Sequence, residues 1–257
     1  MNEKVDFKGS VILNPVPVVL ITSKNKEGKE NVFTVAWTGT VCTKPPMLSI
    51  SVRPERLSYE YIKETMEFTV NLPTSKMTKA VDYCGVRPGR KFDKIQEMNF
   101  TMKEGTNINV PYIDECPISI ECKVKSIIPL GTHDLFIADV VGSHVDSTLM
   151  DEKGKIHFEE ADLITYCHGE YFKMDKHPLG KFGYSIAKKP IAMKDSAKSI
   201  EKENNTDTTK VKDLSKDRPR KKNNNYKSSN ASKKRNSSNN KHKNSRKNTT
   251  STRRKTK

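Results

Sequence analysis

Residues 31–40 read NVFTVAWTGT and contain the only tryptophan of the 257-residue chain, Trp37. Apolar and polar residues alternate here as they do along a β-strand. The apolar face holds Phe33, Val35 and Trp37, and the other face carries mostly Thr34, Thr38 and Thr40. A strand that faced bulk water would normally carry charged side chains outward, yet residues 32–43 contain no charged residue. The pattern therefore predicts that something other than water covers the threonine face.

The net charge of +16 is distributed very unevenly along the chain. Residues 1–190 contain 25 basic and 25 acidic residues, whereas residues 191–257 contain 22 and 6. In residues 218–257, 36 of 40 positions are Lys, Arg, Asn, Ser or Thr, and none is acidic. Such a composition cannot form a core, so we predict one domain over residues 1–190 and a disordered basic tail over residues 191–257.

The charge of the tail predicts weak, salt-sensitive binding to nucleic acid or another polyanion, without sequence preference. The only aromatic residue of residues 218–257 is Tyr226, so base stacking adds little. An alternative stays open, in which the tail is low-complexity sequence with no selected partner.

The five cysteines are an odd number, and no apolar signal segment precedes the domain. These features predict a reduced, cytoplasmic chain with buried or half-buried free thiols. No stretch approaches about 20 apolar residues, so no membrane span is expected. A zinc site built from Cys116, Cys122, Cys167 and His168 is an alternative, but it lacks the usual ligand spacing, and no metal is predicted.

The first 190 residues are mainly β with short helices. Val16–Ser23 and the NVFTVAWTGT strand flank the charged turn KNKEGKEN, which predicts a hairpin. Further strands are predicted at MLSISVRP (47–54), EFTVNLP (67–73), PISIECKVKSII (117–128) and DLFIADVVGSHV (134–145). This repetition of strands indicates an antiparallel barrel.

Two short helices are predicted between these strands. One runs from Ser58 to Thr65, and the other from about Ser75 to Tyr83, with Ser75 as its N-cap and Gly85 as its terminator.

The sequence RPERLSYE, residues 53–60, joins a strand end to a helix start. Arg53, Arg56 and Ser58 supply guanidinium groups and a hydroxyl beside helix-start N–H groups, which are the donors that a phosphate needs. A solvated loop with Ser58 as an ordinary N-cap is the competing interpretation. A second basic run, RPGRKFDK (87–94), could equally be a charged surface. G-x-G-x-x-G, Walker A and G-x-S-x-G motifs are absent, so a phosphate ligand would be bound by dispersed residues.

Seven motifs occur in an order and spacing that resemble the flavin reductase-like family of FMN-binding split β-barrels, of the flavoredoxin type. They are NVFTVAWTGT, SISVRPERLSYEYIKE, FTVNLP, KAVDYCGV, GRKFDK, ECPISIECKV and GTHDLFIADV. The resemblance covers residues 14–185. It implies a homodimer that binds FMN non-covalently near the subunit interface, reduced by NADH or NADPH.

The resemblance also implies which residues bind FMN. Trp37 would pack at or beside the isoalloxazine ring, Arg53 and Ser58 would hold the phosphate, and Lys94 would approach the phosphate or the flavin edge. His133 is a candidate for proton delivery or dinucleotide placement, and no catalytic residue is otherwise assigned. The full set of implied flavin contacts is Asn31, Trp37, Thr38, Thr40, Arg53, Ser58, Lys94, His133 and Tyr166. Cys167 and His168 follow Tyr166 where small residues are common, which changes the local pocket shape.

Three functional classes stay open at this point. The first is an NAD(P)H-dependent flavin or substrate reductase, which we favour. The second is a flavoredoxin-type electron carrier without direct NAD(P)H turnover, and the third is a nucleic-acid-binding protein acting through its basic tail.

Overall fold

The computed structural model of the chain describes residues 3–187. The predictions for the basic tail, and the domain boundary at residue 190, lie outside the described residues and stay predictions.

Twelve strands and three α-helices occur in the described residues. The strands are β1 (Val16–Pro17), β2 (Val19–Lys24), β3 (Glu30–Val35), β4 (Thr38–Thr43), β5 (Pro46–Val52), β6 (Glu67–Leu72), β7 (Met102–Lys103), β8 (Tyr112–Ile113), β9 (Ile118–Pro129), β10 (Asp134–Val145), β11 (Ile164–Cys167) and β12 (Glu170–Lys173). The helices are α1 (Leu57–Thr65), α2 (Thr78–Val86) and α3 (Lys94–Glu97). Among residues 3–187, no helix has the length and apolar character needed to cross a membrane.

Seven strands form one antiparallel sheet in the order β3-β2-β6-β9-β10-β5-β4. Its two ends, β3 and β4, are consecutive in the chain. The sheet curls around a single core, because Phe33 and Val35 of β3 lie in the same buried cluster as Leu48 and Ile50 of β5. The predicted split β-barrel is therefore confirmed, and so is the hairpin of β2 and β3, in which Val19 is opposite Val35.

Helix α1 packs against the barrel core through Tyr59 and Ile62. The Tyr59 ring meets Phe136 edge-on, with centroids 5.5 Å apart, and its hydroxyl donates to Asp134 Oδ2 at 2.7 Å. Burial of these rings stabilises the position of the helix. The first turn of α1, where Ser58 lies, is therefore packed against the barrel.

Strands β2 and β3 are buried on both faces. Leu20 and Val32 point away from the barrel interior and pack with Val81 and Cys84 of α2. Thr34 Oγ1 donates to the carbonyl of Val81, beneath the same helix. The threonine face is thus covered by protein at Thr34, which explains part of the missing outward charge in residues 32–43.

The stretch NVFTVAWTGT does not form one continuous strand, and that part of the prediction is wrong. It breaks at Ala36 and Trp37, because β3 pairs with β2 whereas β4 pairs with β5 at the other end of the sheet. A single straight strand could not serve both partners. Trp37 lies in the two-residue link between β3 and β4, where its carbonyl accepts a hydrogen bond from Ser51 N at 2.9 Å.

The ends of the second helix also differ from the prediction. Gly85 lies inside α2 and does not terminate it. The helix ends one residue later because Pro88 disfavours helical backbone at Arg87, which is extended (φ −79°, ψ 131°). Ser75 begins a 3₁₀ turn and donates to Asp162 Oδ2 at 2.5 Å, so it does not cap the helix.

The cysteines are free thiols distributed as predicted. Cys84, Cys116 and Cys122 are buried, and Cys42 and Cys167 are half-buried. No group of three or more metal-ligating side chains occurs within residues 3–187.

Candidate functional site

Asn31 and Ser58 form the buried centre of the site. Asn31 Nδ2 donates to Ser58 Oγ at 2.7 Å, and Ser23 Oγ lies 2.8 Å from the same hydroxyl. Ser58 is completely buried and lies in the first turn of α1, whose N-cap residue is Arg56. The interpretation of Ser58 as an ordinary N-cap is therefore wrong. Its hydroxyl instead fixes the orientation of the Asn31 amide.

The loop after α2 approaches this amide very closely at Gly89. A Cβ atom at position 89 would lie 2.4 Å from Asn31 Oδ1, so only glycine fits without a shift. Lys91 N donates to Pro88 O at 3.0 Å and closes a turn around Gly89 and Arg90. In the described part of the chain, neither of these two residues has an acceptor for its backbone N–H. Two free amides thus border the space beside Asn31.

Lys94 belongs to the run RPGRKFDK, which by composition could be a charged surface. Its side chain is nevertheless buried and only 3% exposed. Its ammonium donates to the Cys84 carbonyl at 3.3 Å. Within residues 3–187 it has no carboxylate partner. The pKa of Lys94 is lowered to about 8, mainly because burial disfavours the charged form, and the charge of Arg56 contributes to this lowering. An ammonium held in this way would be stabilised by an anion.

A cleft of about 390 Å³ joins these features. It is lined by Asn31, Gly89 and Lys94. Its remaining lining residues are Lys29, Glu30, Leu57, Tyr61, Arg90, Lys91, Phe92, Asp93 and Ile95. Arg90 is already paired with both carboxylate oxygens of Glu60. The lining of the cleft carries more basic than acidic side chains and includes aromatic and aliphatic ones, as a site for a phosphorylated aromatic ligand would.

Arg53 and His133 lie side by side at one end of the barrel. Their neighbours Val52 and Asp134 are paired between β5 and β10. The pKa of His133 lies below its ordinary value, because partial burial disfavours the charged ring and the charge of Arg53 adds to this effect. Arg53 is exposed and lies 3.5 Å from Glu55.

Arg56 is a residue that the sequence analysis placed in the anion loop but did not assign to the site. Its charge lowers the pKa of both Lys94 and His133, so it lies near both groups. It is half-buried and has no ion-pair partner in residues 3–187. The signal that could have found it is its place at the N-cap of α1, where an anion would also meet free helix N–H groups.

Trp37, Thr38 and Thr40 lie beside β5, on the adjoining edge of the barrel. Trp37 is 39% exposed, and Thr40 is exposed. Thr38 Oγ1 donates to the Ser49 carbonyl at 2.8 Å. The Thr38 hydroxyl is thus bonded within the chain, while the side chains of Trp37 and Thr40 are open to a ligand.

Tyr166 is in a different part of the fold from the other predicted residues. It lies on β11, in the small sheet β1-β11-β12, and meets Tyr171 edge-on at 5.7 Å. It packs against the cluster that contains Cys84. His168, which follows, occupies the tight turn before β12 with a positive φ of 49°. The structure therefore does not bring Tyr166 into the cleft that Asn31 and Lys94 line.

The comparisons with known proteins agree with this architecture. The sequence profile described as "Flavin reductase like domain" matches residues 13–175. The chain belongs to the flavin reductase-like family. An uncharacterized protein of Archaeoglobus fulgidus is 30% identical over 147 residues, which are 57% of this chain and 82% of that protein.

Two solved structures of this family illustrate its range. A flavoredoxin from Methanosarcina acetivorans is 28% identical, with a TM-score of 0.66 over 72% of this chain and all of that one. Component B of a nitrilotriacetate monooxygenase from Bacillus cereus is 27% identical, with a TM-score of 0.61 over 68% of this chain and 97% of that one.

The donors in this flavin reductase-like chain fit the phosphate of FMN. A phosphate needs several N–H and cationic donors around one point. Lys94 and the free amides of Gly89 and Arg90 line one cleft and supply such donors without a dinucleotide motif, and Arg56 is near enough for its charge to act on Lys94. The chemistry of this set matches one phosphate group, and the uncharged edge near Trp37 matches an aromatic ring.

Proposed function

We propose that the chain binds FMN non-covalently and acts as an oxidoreductase that takes electrons from NADH or NADPH and passes them to an acceptor. The observation that carries this proposal is Lys94, a buried ammonium without a carboxylate partner in the described residues, beside the Asn31 amide and two free backbone N–H groups. A buried cation of this kind needs a counter-charge, and a phosphate provides it.

In this proposal the phosphate binds between the turn at Gly89 and the start of α1. Lys94 and Arg56 would neutralise it, and Arg53 would contribute from the adjoining edge of the barrel. Asn31 Oδ1 would accept from a ribityl hydroxyl, while one hydrogen of its Nδ2 is donated to Ser58 Oγ. The role of Ser58 would then be to hold Asn31 in place.

The flavin ring would lie at the edge of the barrel near Trp37. Trp37 offers an exposed aromatic surface, and the hydroxyl of Thr40 is open to the ring's polar edge. When bound, FMN supplies the redox chemistry, accepting hydride from a nicotinamide. The chain contributes position and charge, with Arg53 and Arg56 favouring negative charge on the ligand.

His133 would deliver a proton or help to position the nicotinamide dinucleotide. Its Nδ1 lies 2.9 Å from Thr132 Oγ1, which leaves Nε2 free. Since its pKa is lowered, the ring is neutral at pH 7 and can hold or release a proton at Nε2. Tyr166 would reach the flavin only if the ring extends toward the small sheet. A homodimer through the barrel is also part of this proposal.

FMN titration of the flavin-free protein, followed by absorption and fluorescence, tests the binding step. We expect one FMN per chain and weaker binding of riboflavin, which lacks the phosphate. NADH and NADPH oxidation by the FMN-loaded protein then tests the reaction. Equal affinity for FMN and riboflavin would exclude the phosphate site.

A flavoredoxin-type electron carrier is the second candidate, and the similarity to the Methanosarcina flavoredoxin favours it. Such a protein would bind FMN equally well but oxidise neither nicotinamide nucleotide. Reduction of the bound flavin by a protein donor, with no NAD(P)H oxidation, would select this candidate.

A further inference from the structure

The amine of Lys94 is almost completely buried and still borders an open cleft. The residue is only 3% exposed, and it lines the cleft of about 390 Å³ together with Asn31 and Gly89. Its Nζ donates one hydrogen bond, to the Cys84 carbonyl at 3.3 Å. No carboxylate of residues 3–187 pairs with it. The remaining hydrogens of this amine therefore have no acceptor in the described part of the chain.

Burial makes Lys94 a nucleophile near neutral pH when no anion is bound. The pKa of the amine falls from 10.5 to about 8, mainly because burial disfavours the ammonium. About half of the chains therefore carry a free amine at pH 8, against about one in three hundred for a lysine with pKa 10.5. The Cys84 thiol also faces the amine, but burial raises its pKa to about 11, so it is uncharged at that pH.

The surroundings of this amine favour an anion more than a cation. The backbone N–H groups of Gly89 and Arg90 have no acceptor in residues 3–187 and border the same cleft. Arg56 is near enough for its positive charge to lower the pKa of Lys94. Turning the amine into an anion would remove a buried cation that lacks a counter-charge and would supply an acceptor for these donors.

We propose that Lys94 is a carbamylation site, at which CO₂ binds covalently to the amine of the flavin-free chain. The Nζ lone pair forms a bond to the carbon of CO₂, one C–O π bond breaks to leave a carboxylate, and one N–H proton goes to solvent. The step converts R–NH₂ and CO₂ into R–NH–COO⁻ and H⁺, with no change of oxidation state. The hydrogen left on Nζ still serves the Cys84 carbonyl, and the new carboxylate accepts from the amides of Gly89 and Arg90.

The carbamate would occupy the place that the proposed function gives to the FMN phosphate. A second anion would be repelled there, so CO₂ would compete with FMN. If about two thirds of the chains are carbamylated, the apparent Kd for FMN rises about threefold, because only the remaining chains bind the phosphate. This competition rests on the proposed function, whereas the carbamate does not.

The experiment uses the flavin-free, full-length protein at pH 8 with ¹³C-labelled bicarbonate, which supplies labelled CO₂. Carbamates are observed by ¹³C NMR, then fixed by alkylation with an oxonium salt and located by mass spectrometry of peptides. We expect two carbamates, one on Lys94 and one on the α-amino group of the chain, whose ordinary pKa is also about 8. Lys94→Arg should lose one of the two signals. Lys91→Arg is the matched control and should keep both, because Lys91 lines the same cleft but is exposed to water.

FMN titration in bicarbonate and in chloride of equal ionic strength then tests the competition. The absence of a label on Lys94 in the peptides of the parent protein would overturn the proposal, and this result does not depend on how the variants fold. A labelled Lys94 in a protein that binds no FMN in either buffer would support the carbamate and refute the proposed function. A labelled Lys94 with equal FMN affinity in both buffers would support the carbamate and place the FMN phosphate away from Lys94.

Discussion

The side-chain amide of Asn31 donates to Ser58 Oγ over 2.7 Å, and the hydroxyl that it meets is completely buried. Ser58 therefore stands behind Asn31 and not on the surface of the cleft. The pair joins β3 to the first turn of α1, so the position of one side chain in the cleft depends on a second that does not line it.

Replacing Ser58 by Ala should weaken FMN binding by about 0.5–1.5 kcal/mol, because Asn31 loses the hydrogen bond that orients its amide and contacts the ligand less well. If Ser58 acts only through Asn31, the double variant Ser58→Ala with Asn31→Ala should lose no more affinity than Asn31→Ala alone. FMN titration of the three variants measures this coupling. Losses that simply add would instead show that Ser58 contacts the ligand directly.

Gly89→Ala should weaken FMN binding at least tenfold, because the new Cβ would lie 2.4 Å from Asn31 Oδ1 and displace the amide or the loop. Gly85→Ala is the matched control. Its Cβ would make only an ordinary contact with Thr34 at 3.4 Å, and alanine favours the helix by about 0.5–1 kcal/mol. Equal FMN affinity in Gly89→Ala and the parent would remove this loop from the site.

The sequence predicted the barrel well because its strands alternate or are apolar in runs that local periodicity reveals. It could not predict the break at Trp37, which depends on β3 and β4 having different partners far along the chain. The burial of Lys94 was hidden for a similar reason. Its run RPGRKFDK has the composition of a surface loop, and only the packing of α2 and α3 encloses the ammonium. Arg53 and Arg56 stand in the same short loop sequence, so the sequence alone does not show which of the two lies near Lys94.

Lys94→Met should make the flavin-free protein more stable at pH 7 by about 2 kcal/mol. Burial lowers the pKa of Lys94 from 10.5 to about 8, and one pKa unit corresponds to about 1.4 kcal/mol. Lys94 therefore costs the parent no stability above about pH 10.5, where the amine is neutral in both the folded and the unfolded chain. The cost grows as the pH falls from there and is complete below about pH 8. Part of the gain is offset by the lost hydrogen bond to Cys84.

Urea unfolding of parent and variant at pH 7 and pH 9.5 measures the difference, which should shrink at the higher pH. Lys91→Met, an exposed lysine of the same loop, should change stability by less than about 0.5 kcal/mol at both values. A Lys94→Met protein that is less stable than the parent at pH 7 would show that the ammonium has a partner of its own.

FMN affinity of the parent should fall as the pH rises from 8 to 9.5, by up to tenfold per unit. Lys94 loses its proton in this range when no ligand is bound, and a neutral amine attracts the phosphate less. Riboflavin, which has the same ring but no phosphate, should show no such dependence, and neither should FMN binding to Lys94→Met. A parallel fall for riboflavin would place the titrating group at the ring.

Arg56→Ala should weaken FMN binding by about 1.5–3 kcal/mol, the range expected for a charge-assisted hydrogen bond to phosphate. Arg53→Ala should cost less, because Arg53 must first leave Glu55, 3.5 Å away, before it can bind the phosphate. Arg56 has no such competitor in the described residues. Arg90→Ala is the control, because this arginine borders the same cleft but is already bound by Glu60. FMN titration of the three variants at one salt concentration ranks their losses of affinity. An effect of Arg90→Ala as large as that of Arg56→Ala would mean that the overall charge of the cleft attracts the phosphate, and not Arg56 in particular.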